Sequence, residues 1–164
     1  MEKFVTLVPL FPLLGFLIQV FFGKQLSKTA TTFIGSGVIL ASFVVSVLVF
    51  LSQSASSSEV TVNVFQWIHA GSLEINMAFY VDHLSCTYLL FVTGIGFLIH
   101  LYSSGYMHED AGFNRFFAYL NLFVFFMLIL VLGDSLVTLF VGWEGVGVCS
   151  FMLIGFWYKD HENN

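Results

Sequence analysis

Residues 114–157 read NRFFAYLNLFVFFMLILVLGDSLVTLFVGWEGVGVCSFMLIGFW, which is two long apolar runs joined by one short polar turn. Each run is long enough to cross a bilayer as an α-helix, which needs about 20 mainly apolar residues. The turn, LGDS at 132–135, is so short that the two helices must be antiparallel neighbours. We expect Asp134 or Ser135 to cap the second helix. This stretch therefore predicts a membrane-embedded helical hairpin.

The remainder of the chain has the same character. Of its 164 residues, 58% are hydrophobic and only 9% are charged, whereas about a quarter of the residues in a soluble domain are charged. No basic stretch is dense enough to bind nucleic acid. The composition predicts an all-α membrane protein with about five transmembrane helices, at 4–22, 30–51, 83–104, 114–132 and 135–157.

The long loop between the second and third helices has a different pattern. It opens with SQSASSSE at 52–59, which is typical of a flexible polar segment. Two alternating runs follow, VTVNVFQWI and SLEINMAFYV, on either side of His69-Ala70-Gly71. This alternation predicts a β-hairpin that packs on the helix ends or on a neighbouring subunit. The chain thus divides into 1–52 (two helices), 53–82 (the hairpin loop) and 83–164 (three helices that begin the functional core).

The basic residues predict the orientation. If the chain crosses the membrane five times, one side holds Lys24, Lys28, Arg115 and Lys159, and only Lys3 lies on the other. Basic residues collect on the cytoplasmic side. We therefore expect the N-terminus outside and residue 164 in the cytoplasm or matrix, in a bacterial inner membrane or a mitochondrial inner membrane.

One charged residue lies deep inside a predicted span. Glu144 is about ten residues into the fifth helix, while every other charge falls in a terminus, a loop or a span end. An acid placed there costs about 2.5–3.5 kcal/mol on insertion scales. Such residues commonly carry protons, pair with a cation or line a hydrated path. We favour proton handling at Glu144 over a protonated side chain that only bonds a neighbouring helix.

The surroundings of Glu144 suit close packing. Gly142, Gly145 and Gly147 leave room for a neighbouring helix or for water. Trp143 projects about 100° away around the helix and is interpreted as a packing residue. No lysine or arginine is buried within the five apolar runs, since Arg115 lies at the very start of its run. A cationic partner of Glu144 would therefore belong to sequence outside this chain.

His100, near the end of the third span, is the second candidate. It would serve as a proton relay, since the imidazole of histidine titrates near neutral pH. We favour the alternative, an interfacial histidine bonded to a backbone carbonyl. Asn121 and Thr93 are interpreted as helix–helix hydrogen bonds, and Asp82 as a helix cap.

The sequence holds no pattern that binds a cofactor or metal. Cys86 and Cys149 lie in apolar runs with no spacing typical of a metal site, and we expect them to pack as small hydrophobic side chains. A glycine-rich phosphate loop, a catalytic triad and a haem or iron–sulfur ligand set are not found. We therefore expect no redox chemistry in this chain itself.

Three phrases together resemble a known family: TGIGFLIHLYSSGYM at 93–107, RFFAYLNLF at 115–123 and GWEGVGVCS at 142–150. They closely resemble the L-type (chain 5) antiporter-like membrane subunit of respiratory complex I, the proton-pumping NADH:quinone oxidoreductase. The resemblance implies that Glu144 pairs with a lysine on a later helix and gates proton movement. It also implies partner subunits that hold NADH, flavin, iron–sulfur clusters and quinone, and other membrane subunits as neighbours.

Family members are several times longer than this chain. We therefore expect an N-terminal fragment of a larger antiporter-like helix bundle, inactive in translocation by itself. The alternative function is the large subunit of a multisubunit Na+/H+ antiporter, which has a similar N-terminal region. A third hypothesis is an assembly or scaffold role for a short chain in which Glu144 is only hydrogen-bonded.

Overall fold

The computed structural model describes residues 2–56, 59–71 and 73–158. It contains five helices and one two-stranded antiparallel sheet, in the predicted order. All five helices are long and apolar enough to cross a membrane. The predicted fold class is confirmed. The helices are α1 (Glu2–Phe22), α2 (Lys28–Ser56), α3 (His83–Tyr106), α4 (Phe113–Leu132) and α5 (Leu136–Ile154), and the strands are β1 (Val60–Ala70) and β2 (Leu73–Val81).

The second helix is longer than the sequence indicated. It continues to Ser56, through residues interpreted as a flexible loop. The side chain of Gln53 is buried, and Ser54 Oγ donates to the Phe50 carbonyl at 2.9 Å. A helix can continue beyond its apolar run when its polar side chains form hydrogen bonds within the helix or are buried against neighbouring elements. The polar composition of SQSAS therefore did not mark the helix end.

The helices pack with α4 at the centre. α4 contacts α1 on one side and α5 on the other, while α2 contacts α1 and α3. Their shared apolar core includes Val8, Ile39, Leu89, Leu128 and Leu132, all fully buried. By contrast, α5 packs mainly against α4, with a smaller contact to β2. One side of α5 is therefore left uncovered by the described residues.

The turn between α4 and α5 is held by a serine cap. Ser135 Oγ accepts a hydrogen bond from the Thr138 backbone N–H at 3.2 Å. Asp134, the other candidate cap, instead donates its own backbone N–H to the Ala78 carbonyl at 3.1 Å. The cap is thus Ser135, and the turn is tied to β2 through Asp134.

The β-hairpin is present, and its turn residue Gly71 adopts a positive φ of 62° that favours glycine. Val62 and Phe79, near its base, are buried and belong to the core, so this half packs on the helix ends. Register shifts at Val64 and Trp67 break the expected alternation. An extra residue in one strand bends it away from its partner surface. The outer half of β1 is consequently exposed.

The predicted cap at the start of α3 is also present. Asp82 Oδ1 accepts the Ser85 backbone N–H at 2.7 Å, and Ser85 Oγ accepts the Asp82 backbone N–H at 2.8 Å. This reciprocal pair is a capping box. The hydrogen bond from the Ser85 N–H lowers the pKa of the Asp82 carboxyl below its ordinary value. The loop thus ends at a firmly fixed helix start.

Candidate functional site

Glu144 lies near the middle of α5, as the ninth of its 19 residues. Its side chain is exposed, and it shares a helix face with Phe140, Gly147 and Phe151 at spacings of three and four residues. Phe140 is 59% exposed and Phe151 is 80% exposed. A Cβ added at Gly147 would meet nothing within 4 Å. Glu144 therefore lies at mid-helix on the face that the described residues leave open.

The opposite face of α5 is closely packed. Gly142 and Gly145 are buried against α4. A Cβ at Gly142 would lie 2.5 Å from the Leu130 backbone nitrogen, and one at Gly145 would lie 2.2 Å from the Phe126 ring. Small residues at a helix interface permit this close approach of two backbones. The packing role predicted for these two glycines is confirmed, whereas Gly147 belongs to the open face.

Trp143 differs from its predicted packing role. Its side chain is 66% exposed. Trp143 projects about 100° around the helix from Glu144. This rotation does not bring its side chain into the interface with α4, because the face that carries Gly142 and Gly145 is narrow. Trp143 and Glu144 thus both lie outside the contact between α4 and α5.

No cation approaches Glu144 in the part of the chain that the structure describes. The ion pair found among those residues joins His69 and Glu74, both well exposed in the hairpin. Lys24, Lys28 and Arg115 lie at helix ends rather than at mid-helix. The partner expected for Glu144 is not supplied by these residues. Lys159 lies outside the described residues.

His100 is buried in α3, with only 1% of its surface exposed. Its Nδ1 lies 2.7 Å from the Gly96 carbonyl, to which it donates a hydrogen bond. Its ring meets Phe117 edge-on at 5.9 Å. The structure therefore contains the backbone bond of the favoured interpretation, and the side chain is buried among the helices. The relay role stays a prediction.

The second ring nitrogen of His100 has no partner among the described residues. His100 borders an apolar cavity of about 350 Å³ between α3 and α4, together with Val124 and Met127. Glu144 does not border this cavity. The structure accordingly does not bring the two predicted site residues together.

A buried polar seam joins α1, α2 and α4. Gln19 Nε2 donates to the Thr31 carbonyl at 3.4 Å. Asn121 Nδ2 lies 3.5 Å from Gln19 Oε1 and donates to the Phe117 carbonyl at 3.0 Å. The bond from Asn121 to α1 agrees with its predicted helix–helix role. Sequence reasoning missed Gln19, although a glutamine inside the apolar run LIQVFF was a signal for it.

Thr93 was also predicted to bond another helix. It is fully buried, but its Oγ1 donates to the Leu89 carbonyl of its own helix at 2.6 Å. Threonine readily satisfies its hydroxyl in this way when no neighbouring acceptor is in reach. The prediction of an interhelical bond for Thr93 is wrong.

Asp110 organises the helix ends on the side that carries Lys24 and Arg115. Its Oδ2 accepts the Trp157 indole N–H at 2.8 Å, and its Oδ1 accepts the Gly112 N–H at 2.6 Å. The indole bond, followed by the Gly112 N–H, lowers the pKa of this carboxyl. Asp110 thereby ties the loop after α3 to the residues that follow α5.

The described residues contain no group of three or more histidine, cysteine, aspartate or glutamate side chains able to hold a metal ion. Cys86 and Cys149 are buried and unpaired, as predicted for small packing residues.

Two family profiles match the chain. The profile described as NADH-ubiquinone oxidoreductase (complex I), chain 5 N-terminus, matches residues 67–117. The profile described as NADH:quinone oxidoreductase/Mrp antiporter, TM, matches residues 133–164 and includes Glu144. The two profiles thus contain both predicted site residues.

A solved archaeal assembly has the same fold. A chain of the membrane-bound sulfane sulfur reductase, an archaeal respiratory membrane complex, superposes on 99% of this chain with a TM-score of 0.83. The matched region is 32% of that longer chain, and the sequence identity is 15%. This similarity shows the arrangement of the helices alone.

Curated relatives match along nearly the whole chain. The NADH-quinone oxidoreductase subunit L of Pseudomonas aeruginosa is 45% identical over 157 residues, which is 94% of this chain and 26% of the relative. The NADH-ubiquinone oxidoreductase chain 5 of Hypocrea jecorina is 38% identical over 147 residues, or 90% of this chain and 21% of the relative. The chain spans about a quarter of the length of the relatives it matches. Over these residues it belongs to the chain 5, or subunit L, family of NADH:quinone oxidoreductase membrane subunits.

Proposed function

We propose that the chain forms part of a proton-translocating membrane subunit of NADH:quinone oxidoreductase. The observation that carries this proposal is Glu144, a carboxyl group at mid-helix on an uncovered face of α5. It lies inside the segment matched by the oxidoreductase and antiporter profile. The named relatives are subunits of the same enzyme.

The position of Glu144 on the open face explains how it would release a proton. A carboxylate that faces hydrocarbon without a partner is costly. A cation brought beside it would stabilise the carboxylate and release its proton. Gly147, one helical turn away on the same face, leaves space for such a partner or for water. We assign the partner to a helix of the longer subunit, as in the resemblance to complex I.

His100 is a weaker candidate for proton movement. Because Nδ1 donates to the Gly96 carbonyl, Nε2 of the neutral ring is an acceptor. His100 borders an apolar cavity that Glu144 does not line. A relay through His100 would require water to enter that cavity.

Electron transfer is assigned to other subunits. NADH, flavin, iron–sulfur clusters and quinone would bind there, while this chain supplies protonatable and packing residues only. The fragment alone would not translocate protons, since the partner of Glu144 would be missing. We place it in a bacterial or mitochondrial inner membrane, with its N-terminus outside.

The test uses Glu144→Gln in the complete oxidoreductase, reconstituted into sealed vesicles. We expect the number of protons moved per electron to fall, because glutamine cannot release a proton. Glu74→Gln, an exposed change in the hairpin, is the matched control and should leave the ratio unchanged. An unchanged ratio in the Glu144 variant, with normal assembly, would exclude this role.

The alternative is a subunit of a multisubunit Na+/H+ antiporter. The profile over residues 133–164 includes the Mrp antiporter in its description, and this is the observation that supports the alternative. The relatives that match along most of the chain are oxidoreductase subunits, so the first proposal is preferred. A sodium gradient that acidifies or alkalinises vesicles without NADH would support the antiporter.

A further inference from the structure

A second polar surface lies apart from Glu144, at the membrane end where α1 and α4 meet. It is a cleft of about 470 Å³. One wall comes from the end of α1 and the turn after it, including Gln19, Val20 and Lys24, and the other from the start of α4, including Arg115 and Tyr119. We call it the Lys24–Arg115 cleft.

The two walls are tied together. Asn114, in the first turn of α4, donates from Nδ2 to the Gly23 carbonyl at the end of α1. Its Oδ1 accepts the Thr31 hydroxyl at 2.9 Å, which adds α2 to the same joint. Three helices are therefore fixed around one asparagine. The cleft is consequently preformed, with Lys24 on one wall and Arg115 on the other.

The cleft is cationic within a chain of formal net charge −5. Both Lys24 and Arg115 are exposed, and neither forms an ion pair with a carboxylate in the described ranges. Arg115 uses one guanidinium nitrogen for the Phe156 carbonyl at 3.3 Å. A guanidinium carries five N–H donors, so others remain to bind a ligand.

The nearest acid, Asp110, does not line the cleft. Asp110 borders a neighbouring cleft that shares Arg115. Both of its carboxylate oxygens accept hydrogen bonds, from the Gly112 N–H and the Trp157 indole. The walls of the Lys24–Arg115 cleft contain no aspartate or glutamate among the described residues.

Apolar side chains continue from the cleft toward the membrane. Val20 lines it and is half exposed, and Phe21 and Phe22 beside it are also exposed. On the α4 side, Tyr119 borders a further cleft with Phe151. An anion with hydrocarbon tails would thus meet cations at its head and apolar surface along its chains.

We propose that the Lys24–Arg115 cleft binds the phosphate headgroup of an anionic phospholipid. Basic pockets between transmembrane helices suit such headgroups, and each lysine or arginine near the surface contributes about 1 kcal/mol. Arg115 offers paired donors to two phosphate oxygens, and Lys24 supplies a second charge. The site is independent of proton transfer at Glu144.

The experiment uses the complete oxidoreductase in lipid nanodiscs that contain photoactivatable phosphatidylglycerol. Matched nanodiscs carry the same reactive group on phosphatidylcholine. After illumination, labelled peptides are located by mass spectrometry. We expect phosphatidylglycerol to label residues 19–28 and 111–119 more strongly than phosphatidylcholine does. Lys24→Gln should lower that labelling about fivefold, which corresponds to one surface charge.

Two variants serve as controls. Lys24→Arg keeps the charge and should keep the labelling. Lys3→Gln removes an equal charge near the other end of α1 and should have no effect at these peptides. Proton translocation is measured for the same variants in sealed vesicles, so a failure of the lipid site is distinguishable from a failure of Glu144.

Three results would overturn the proposal. The first is equal labelling by the two lipids, and the second is unchanged labelling in Lys24→Gln. The third is displacement of the label by excess soluble glycerol phosphate, which would assign the cleft to a free phosphate anion. Resistance to that competitor supports the lipid.

Discussion

The two faces of α5 differ in how closely they are packed and in the residues that they carry. On the face toward α4, Gly142 and Gly145 bring two backbones into contact and expose no charge. On the other face, Glu144 lies among exposed aromatic rings with no ion pair among the described residues. The packed face stabilises the helix pair, and the open face carries a group that costs energy in lipid. The comparison separates the part of α5 that holds the fold from the part proposed to act.

The polar seam between α1, α2 and α4 also differs from the open face of α5, because its polar side chains are buried and hydrogen-bonded. Gln19, Thr31 and Asn121 are buried and bonded to one another or to backbone carbonyls. Polar groups that serve packing are thus joined within the helix group. Glu144, an ionisable residue that is costly to place in lipid, forms no ion pair among the described residues.

The largest effect should come from filling the packed face. Gly142→Ala places a Cβ 2.5 Å from the Leu130 backbone nitrogen, where no side-chain rotation relieves the clash. Overpacking of this kind costs about 1–3 kcal/mol, and the rigid backbone puts this case at the upper end. Assembly of the oxidoreductase, measured on native gels, should fall strongly.

Gly37→Ala is the matched control, because a Cβ there meets nothing within 4 Å. Its assembly should equal that of the unmodified protein. Normal assembly of Gly142→Ala would show that α4 and α5 do not approach as closely as described.

A smaller effect is expected from Asn121→Leu. The change removes the bonds to Phe117 and Gln19 and leaves Gln19 Oε1 buried without that partner. Interhelical hydrogen bonds in membranes average about 0.6 kcal/mol, with a maximum of about 1.7. The thermal midpoint of the assembled complex should therefore fall slightly, while the protons moved per electron stay constant.

Thr93→Val is the comparison variant, since Thr93 bonds its own helix. Its midpoint should change less than that of Asn121→Leu. If Asn121→Leu assembled normally but moved fewer protons per electron, the polar seam would be part of the proton path. The seam would then no longer differ in role from Glu144.

The smallest effect concerns the cap at Asp82. The folded state lowers the pKa of the Asp82 carboxyl below its ordinary value of 3.8, chiefly through the hydrogen bond from the Ser85 N–H. The cap therefore contributes stability above that pH and loses it as the pH falls through the folded pKa. Asp82→Ala should lower stability by about 1 kcal/mol at neutral pH.

The measurement for Asp82 is thermal denaturation from about pH 7 down to about pH 3. The difference between the unmodified protein and Asp82→Ala should shrink toward the acidic end of this range. A difference that stays constant with pH would mean that the charge of Asp82 does not contribute to the cap.

Much of the fold was predictable because its signals are local. Apolar run length identified the five spans, and the Gly71 turn between alternating runs identified the hairpin. The features that sequence reasoning missed depend on tertiary partners. The extension of α2 to Ser56 involves the burial of Gln53, and the seam at Gln19 requires three helices to meet.

The candidate site was predictable in its identity but not in its surroundings. A carboxyl group inside an apolar run made Glu144 conspicuous. Whether Trp143 packs, and which glycine faces α4, depends on the rotation of α5 about its axis. That rotation is set by Leu130 and Phe126 of the neighbouring helix, which the α5 sequence does not encode.

The most direct test of the central claim is infrared difference spectroscopy of the complete oxidoreductase during turnover with NADH. The account predicts a protonated-carboxyl band that changes between resting and turning-over enzyme and is absent in Glu144→Gln. A band that persists unchanged in Glu144→Gln, or no carboxyl change at all in the coupled enzyme, would contradict proton transfer at Glu144.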